Sequence, residues 1–422
     1  MRYKGLILSL AIFFMCSKTL FARIIVPPIQ GPIIEKISIF VPDLAGPTAF
    51  SVDRNAREFI QVVRNDLKNA GLFDVSEAGM PPDPFGGINF QAYFDAGGDA
   101  LVKGEYESAS NRINIAVRLF DVAQEKALLG RTYEATSGKV REAAHRFADL
   151  VMKELTGIDG FFTSKIAYVS GSGQNRDLYI MDYDGENVRK LTNHRALLLS
   201  PHCSRDGGKI VFNSDKVWDQ DLYVIDLIPS VTERRLTRGF RLDQSAEWSP
   251  DGSKLAFSAN GDIYISSASG TGLKNITGTR SIEVSPTWSP DGSKIAFVSD
   301  RTGSPQVYVM NSDGTNVKKI SSGSYNTDPA WSPNPSVNRI AYVRVEGSEA
   351  NIFTVNPDGS DEQRLTWASR RNENPAWSPD GHYIAFSSSR GGSNDIYIMY
   401  LNGQNQIQLT KGGGKTFPTW CK

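Results

Sequence analysis

The sequence predicts a mixed, two-domain chain in which a small α/β domain is followed by a six-bladed β-propeller. The propeller follows from a phrase that recurs at Trp248, Trp288 and Trp377, each opening Trp-Ser-Pro-Asp-Gly. Trp331-Ser332-Pro333 is a lengthened copy, and Cys203-Ser204-Arg205-Asp206-Gly207 is a worn one. A fixed period of roughly 40–45 residues is the mark of propeller blades. The second observation is the contrast with residues 23–161, which lack the phrase and alternate between helical and strand periodicity.

The chain opens with a targeting segment. Arg2 and Lys4 make a short basic region, and an apolar run follows that is too short to span a bilayer. Cleavage after Ala22 would make residues 1–22 a signal peptide and mark the mature chain for export. In the next region, residues 36–41 alternate as a strand. Residues 53–70 place Phe59, Val62, Val63 and Leu67 on one helical face, and Gly71 stops that helix. Residues 100–105, 112–120 and 127–133 read as further strands, and 137–155 as a second helix ended by Gly157. Two helices against a mixed sheet define the α/β domain, 23–161.

From 162 to 422 each repeat carries three phrases. An alternating apolar run such as Lys254-Leu-Ala-Phe257 comes first, then Asp262-Ile-Tyr264, then a closing Ile276-Thr277. Each phrase occurs six times, beginning with Lys165, Asp177 and Leu191. The first copy has no Trp phrase ahead of it, whereas Trp420 has nothing behind it. The chain end therefore supplies the innermost strand of the first blade, which latches the ring and removes its open edges.

Composition excludes several functions. There are 46 basic and 46 acidic residues, and basic pairs such as Arg234-Arg235 are scattered, so no nucleic-acid track exists. The four histidines, His145, His194, His202 and His382, show no metal-ligand spacing. Asp182-Tyr-Asp-Gly185 is only a fragment of a calcium loop and reads as a turn. No Gly-x-Ser-x-Gly pentapeptide is present. The reading is a monomer that is not an enzyme and uses no cofactor and no catalytic or metal-binding residues. Cys203 and Cys421 fall in adjacent blades. Either a disulfide or two buried thiols fits the sequence, since the Cα separation decides.

What remains is surface. The polar segments before each inner strand place Asp243, Ser245, Ser285, Thr327, Asp328, Glu373 and Asn374 around the channel mouth, where a peptide or protein partner would sit. Arg23, Ile24, Ile25 and Val26 alternate as a strand cut off by Pro27-Pro28, which suits addition to a partner's sheet.

An exported chain with this domain order resembles the TolB family of the Tol–Pal cell-envelope system. The resemblance rests on the Trp-Ser-Pro-Asp-Gly repeats, on Arg23-Ile-Ile-Val26 after the signal, and on Leu155-Thr-Gly-Ile158 followed by Lys165-Ile-Ala-Tyr168. Thr327-Asp-Pro-Ala-Trp331 and Glu373-Asn-Pro-Ala-Trp377 are similar to its channel-mouth strands. It implies an anticodon-binding-domain-like N-terminal fold and a non-enzymatic periplasmic scaffold. By the same resemblance, the propeller channel face binds the peptidoglycan-associated lipoprotein and the N-terminal segment binds the C-terminal domain of TolA. Other outer-membrane proteins are further candidate partners. The implied roles are outer-membrane integrity, cell division, the cell cycle and protein transport. The competing expectation is a small-molecule-binding or enzymatic propeller with a ligand or cation in its central channel.

Overall fold

The computed structural model describes residues 35–47, 53–77, 87–110, 112–217, 219–228, 230–238, 244–367 and 370–422. The signal segment, Arg23, Ile24, Ile25, Val26 and Asp243 lie outside the described residues.

In the N-terminal domain the chain runs β1 (Ile37–Phe40), α1 (Arg54–Ala70), β2 (Phe73–Ser76), α2 (Phe90–Asp95), β3 (Ala100–Ala109), β4 (Arg112–Asp121), β5 (Lys126–Thr136) and α3 (Val140–Thr156). The sheet order is β2-β1-β3-β4-β5, with β1 parallel to both neighbours and β3 to β5 an antiparallel meander. The Asp53 carboxylate accepts the Asn55 N–H at 2.7 Å and caps α1, while Gly71, at φ 72°, ends it. Phe59, Val63 and Leu67 of α1 are buried with Phe147 and Val151 of α3 in one core. Sequence periodicity missed α2, which is under two turns long, and β2, where only Phe73 and Val75 alternate directly after the Gly71 helix stop.

Six four-stranded sheets follow. Their innermost strands are Lys415–Cys421, Leu198–Cys203, Gln244–Trp248, Glu283–Trp288, Asn326–Trp331 and Asn372–Trp377 for blades one to six. Blade one joins both ends of the domain, since Trp420 pairs with Ile166 and Cys421 with Lys165. Cys203 and Cys421 form a disulfide between blades one and two, their Cα atoms 5.3 Å apart.

The repeated phrases are hydrogen-bonding units. Ser249 Oγ accepts the Lys254 N–H at 2.9 Å and donates to Asp251 at 2.6 Å, closing the turn at Gly252, φ 70°. Ser289 and Asp291 repeat these contacts, as do Ser204 and Asp206 of the worn copy. The other two phrases meet each other. Thr192 Oγ1 accepts the Leu178 N–H and donates to Asp177, both at 2.9 Å, which ties the outer edge of the blade. Thr277 with Asp262 and Thr410 with Asp395 do the same.

The two domains share one core. Phe161 packs against Tyr183, Tyr383 and Trp420, with ring centroids 5.2, 4.1 and 5.8 Å away. Asp149 of α3 accepts the Phe162 N–H at 2.8 Å and fixes the linker. A buried polar chain crosses the junction. Tyr183 donates to Asp66 at 2.6 Å, Asp66 pairs with His145 Nδ1 at 2.8 Å, and Arg141 pairs with Asp184. Burial pushes the Asp66 carboxyl up to about 6, against the lowering effect of His145. Burial alone would lower His145, but Asp66 and Asp184 raise it above its ordinary 6.5.

Both groups hold their protons more tightly folded than unfolded. Their stabilising contribution is therefore complete at low pH and is lost as pH rises through the folded values. The expected result is a melting temperature that falls between pH 5 and pH 8 less steeply in an Asp66→Asn/His145→Gln variant than in the parent. Differential scanning calorimetry at fixed ionic strength checks this, and equal slopes would contradict it.

Candidate functional site: the propeller channel and its open mouth

The N-terminal domain meets the ring on the side that carries the Ser-Pro-Asp-Gly turns, at blades one and six. On that side Tyr383 donates to the Ala70 carbonyl at 2.6 Å, and Asn405 donates to the Asn69 carbonyl at 2.6 Å. Asp159 and Gly160 of the linker line the same end of the channel. Arg205 crosses it, donating to the Pro333 carbonyl of blade five at 3.1 Å. Among the described residues, the hydrogen bonds and ring contacts of the N-terminal domain and linker to the propeller fall on this side and not where the innermost strands begin.

Each innermost strand is interrupted at the same place. Ser200, Ser245, Ser285, Asp328, Asn374 and Phe417 all have φ between 47° and 54°, one in each blade. Every pairing with the next strand slips at that point. Proline follows in all blades but the third, which has Ala246, as suits bulges where no ladder N–H is required. Non-glycine residues in this conformation are uncommon, and such strain collects at functional sites. These six residues line a channel cavity of about 390 Å³.

Ser245, Ser285, Asp328 and Asn374, expected at the mouth, therefore belong to one ring. Asn374 Nδ2 donates to Asp328 Oδ2 at 3.2 Å, and Asn374 Oδ1 accepts the Ser387 hydroxyl at 3.0 Å. Thr327 and Glu373 stand one residue to the mouth side of Asp328 and Asn374 and pair with Val343 and Ser387. Glu373 is held by Arg371 at 2.6 Å. Desolvation, with the Glu373 carboxylate close by, pushes Asp328 up to about 6.

Deeper in the channel the residue before each Trp position joins neighbouring blades. Thr419, Glu247 and Thr287 accept the backbone N–H of Cys203, Trp288 and Trp331 at 3.2, 3.0 and 3.0 Å. His202 Nε2 lies 3.5 Å from Glu247 Oε2. Burial pushes Glu247 up to about 8, and desolvation pushes His202 down to about 4. Over a third of the His202 side chain touches channel solvent, but the enclosing walls limit its hydration. The contact is thus a neutral pair near pH 7, and this layer binds blade to blade.

The sequence reading passed over Ser200, Phe417 and Glu247, and weighed His202 only as a metal ligand. Aligning Cys203 and Trp420 with the other Trp positions and counting back one and three residues would have found the ring positions. The calcium-loop fragment is closed to a cation, because Asp182 pairs with Lys165 at 2.5 Å and Asp184 with Arg141. His194 pairs with Glu233 at 2.7 Å, away from the His202–Glu247 pair. Among the described residues one cluster of three potential metal ligands exists, Asp66, His145 and Asp184. Tyr183 and Arg141 already satisfy its two carboxylates.

The fold and site define a two-domain propeller protein whose N-terminal domain docks on the turn side of the ring at blades one and six. Residues 152–422 match the TolB beta propeller domain and residues 28–128 the TolB amino-terminal domain. The chain belongs to the TolB family of Tol–Pal system proteins. It is 32% identical over 373 residues to the Protein TolB homolog of Chlorobium luteolum, spanning 86% of this chain and 85% of the relative. It is 31% identical over 225 residues to the Tol-Pal system protein TolB of Desulfotalea psychrophila, which is 53% of this chain and 50% of that one. The crystal structure of TolB from Acinetobacter baumannii superposes with a TM-score of 0.80 at 26% identity, covering 92% of this chain and 97% of that one. No helix among the described residues is long and apolar enough to cross a membrane.

Proposed function

We propose that this chain is a non-enzymatic periplasmic scaffold that binds the peptidoglycan-associated lipoprotein at the open channel mouth. It binds the C-terminal domain of TolA through Arg23, Ile24, Ile25 and Val26. Through these contacts it supports outer-membrane integrity and constriction during division. The observation that carries the reading is the asymmetry of the channel. The turn-side end carries the N-terminal domain at blades one and six, the linker residues Asp159 and Gly160 and the Arg205 crossing, while farther along the channel each innermost strand presents one strained polar or aromatic residue. The inner wall is occupied by blade-to-blade bonds, so the mouth is where a partner gains most. Charge at its rim, from Arg371, Glu373 and Asp328, would govern encounter rate and its salt dependence.

The test is calorimetric titration with the soluble domain of the lipoprotein. Asp328→Lys/Glu373→Lys is expected to weaken binding at least tenfold while the melting transition stays cooperative. Parent-like affinity in that folded variant would move the site elsewhere. Deleting residues 23–29 is expected to abolish TolA binding and leave lipoprotein binding unchanged. Full TolA affinity after that deletion would refute the assignment of the segment.

A further inference from the structure

Among the described residues strand β5 ends the N-terminal sheet, and its outer edge meets no further strand. It runs for 11 residues, Lys126–Thr136, which is about 35 Å of extended backbone. No proline interrupts it. The alternate main-chain N–H and C=O groups on that side are unpaired by any ladder, and such an edge is a template for another strand. Proteins that keep their edges private usually shorten, bend or cover them. Here the one irregularity is a register shift between Leu119 and Phe120, which leaves the stretch from Leu129 to Thr136 in continuous register with β4.

Beside this edge lies a groove of about 230 Å³ between β5 and the first half of α3. Its lining is mixed: Tyr133 and Ala135 of β5 and Ala143 of α3 supply apolar surface, beside the charged Glu134, Lys139, Glu142 and Arg146. An exposed strand flanked by a helix is the arrangement in which an added strand gains affinity from backbone hydrogen bonds. Alternate side chains of that strand gain specificity from the groove.

Charge selects the occupant. The groove's acids are already matched, with Glu134 on Arg112, and Glu142 on Lys139 at 2.8 Å and on Arg146 at 2.5 Å. Lys126 and Arg131 are exposed on the strand, and neither is in an ion pair among the described residues. A second copy of this chain would bring the same two cations to the edge with one exposed acid, Glu125, beside Lys126, so acids supplied by a different segment match the edge better than self-pairing. We propose that the edge of β5, with the groove beside α3, docks an extended protein segment that alternates apolar and acidic side chains and adds to the sheet as a sixth strand. The apolar side chains enter the groove at Ala135 and Ala143, and the acids meet Arg131 and Lys126. This surface lies on a different domain from the propeller mouth, so its occupation is independent of the lipoprotein reading.

The experiment is selection of a phage-displayed random dodecapeptide library against the full chain in solution. Enriched peptides are then synthesised and measured by fluorescence anisotropy and hydrogen exchange. The expected peptides alternate apolar and acidic residues, lose at least tenfold in affinity against Arg131→Glu, and slow exchange within residues 126–136. Lys126→Glu, at an equally exposed position, is expected to weaken them in the same direction. Enriched peptides that lack acids, that bind Arg131→Glu as tightly, or that protect another region would overturn the proposal, as would a failure to enrich any. A concentration-dependent dimer abolished by Arg131→Glu would overturn it in favour of a second copy.

Discussion

Deleting residues 415–422 is expected to remove cooperative folding of the propeller, a loss well beyond that of an ordinary terminal truncation. The deleted strand is the innermost strand of blade one, so the remaining three strands expose an edge inside the ring. Trp420, 7% exposed, packs on Phe161, and its indole N–H donates to Ser164 at 2.6 Å. Removing one such aromatic from a core costs about 3–5 kcal/mol. The deletion also takes away Cys421 and the Thr419 hydroxyl that holds Cys203. The loss should spread to the domain junction, because Phe161 contacts Tyr183 and Tyr383 as well. Calorimetry and limited proteolysis check it. A single transition at the parental temperature would contradict the closure by both chain ends.

The second large effect is expected from Cys203→Ser/Cys421→Ser. The bridge joins residues 218 apart. A cross-link closing so long a loop removes much freedom from the unfolded chain, on the order of 4–5 kcal/mol in the chain-entropy description. Both sulfurs lie in an apolar cluster with Ile210 and Phe212, so the serine hydroxyls add a desolvation cost. The double variant should fold, because the strand pairing of Trp420 with Ile166 survives, but melt on the order of 10 °C lower. An unchanged melting temperature would mean that strand pairing alone carries the closure.

The repeat was legible because each phrase does a local hydrogen-bonding job that few residue types can perform. Ser249 and Asp251 need a hydroxyl and a carboxylate two residues apart, and Asp177 needs the Thr192 hydroxyl. Such short-range chemistry leaves the same letters in every copy. The latch was legible for the same reason, as a Trp without a turn opposite a run without a Trp. The bulged ring was only partly legible. Ser, Asp, Asn and Phe all occupy the position, so no letter marks it, and the backbone conformation emerges only from the pairing on both sides. The pairing of His202 with Glu247 was missed because Glu247 looks like an ordinary strand residue until neighbouring blades bring the two within 3.5 Å. The junction network joins Asp66 to Tyr183 across 117 residues, a distance over which periodicity carries no signal.

The open mouth is the proposed partner-binding end. The most direct measurement is hydrogen exchange on the full chain with and without a saturating soluble domain of the lipoprotein. Slowed exchange is expected in Asn326–Trp331, in Asn372–Trp377 and in the segments leading into them. The Ser-Pro-Asp-Gly turns and strand β5 should be unchanged. Protection confined to the turn face or to the N-terminal domain, with the mouth unaffected at saturation, would contradict the account.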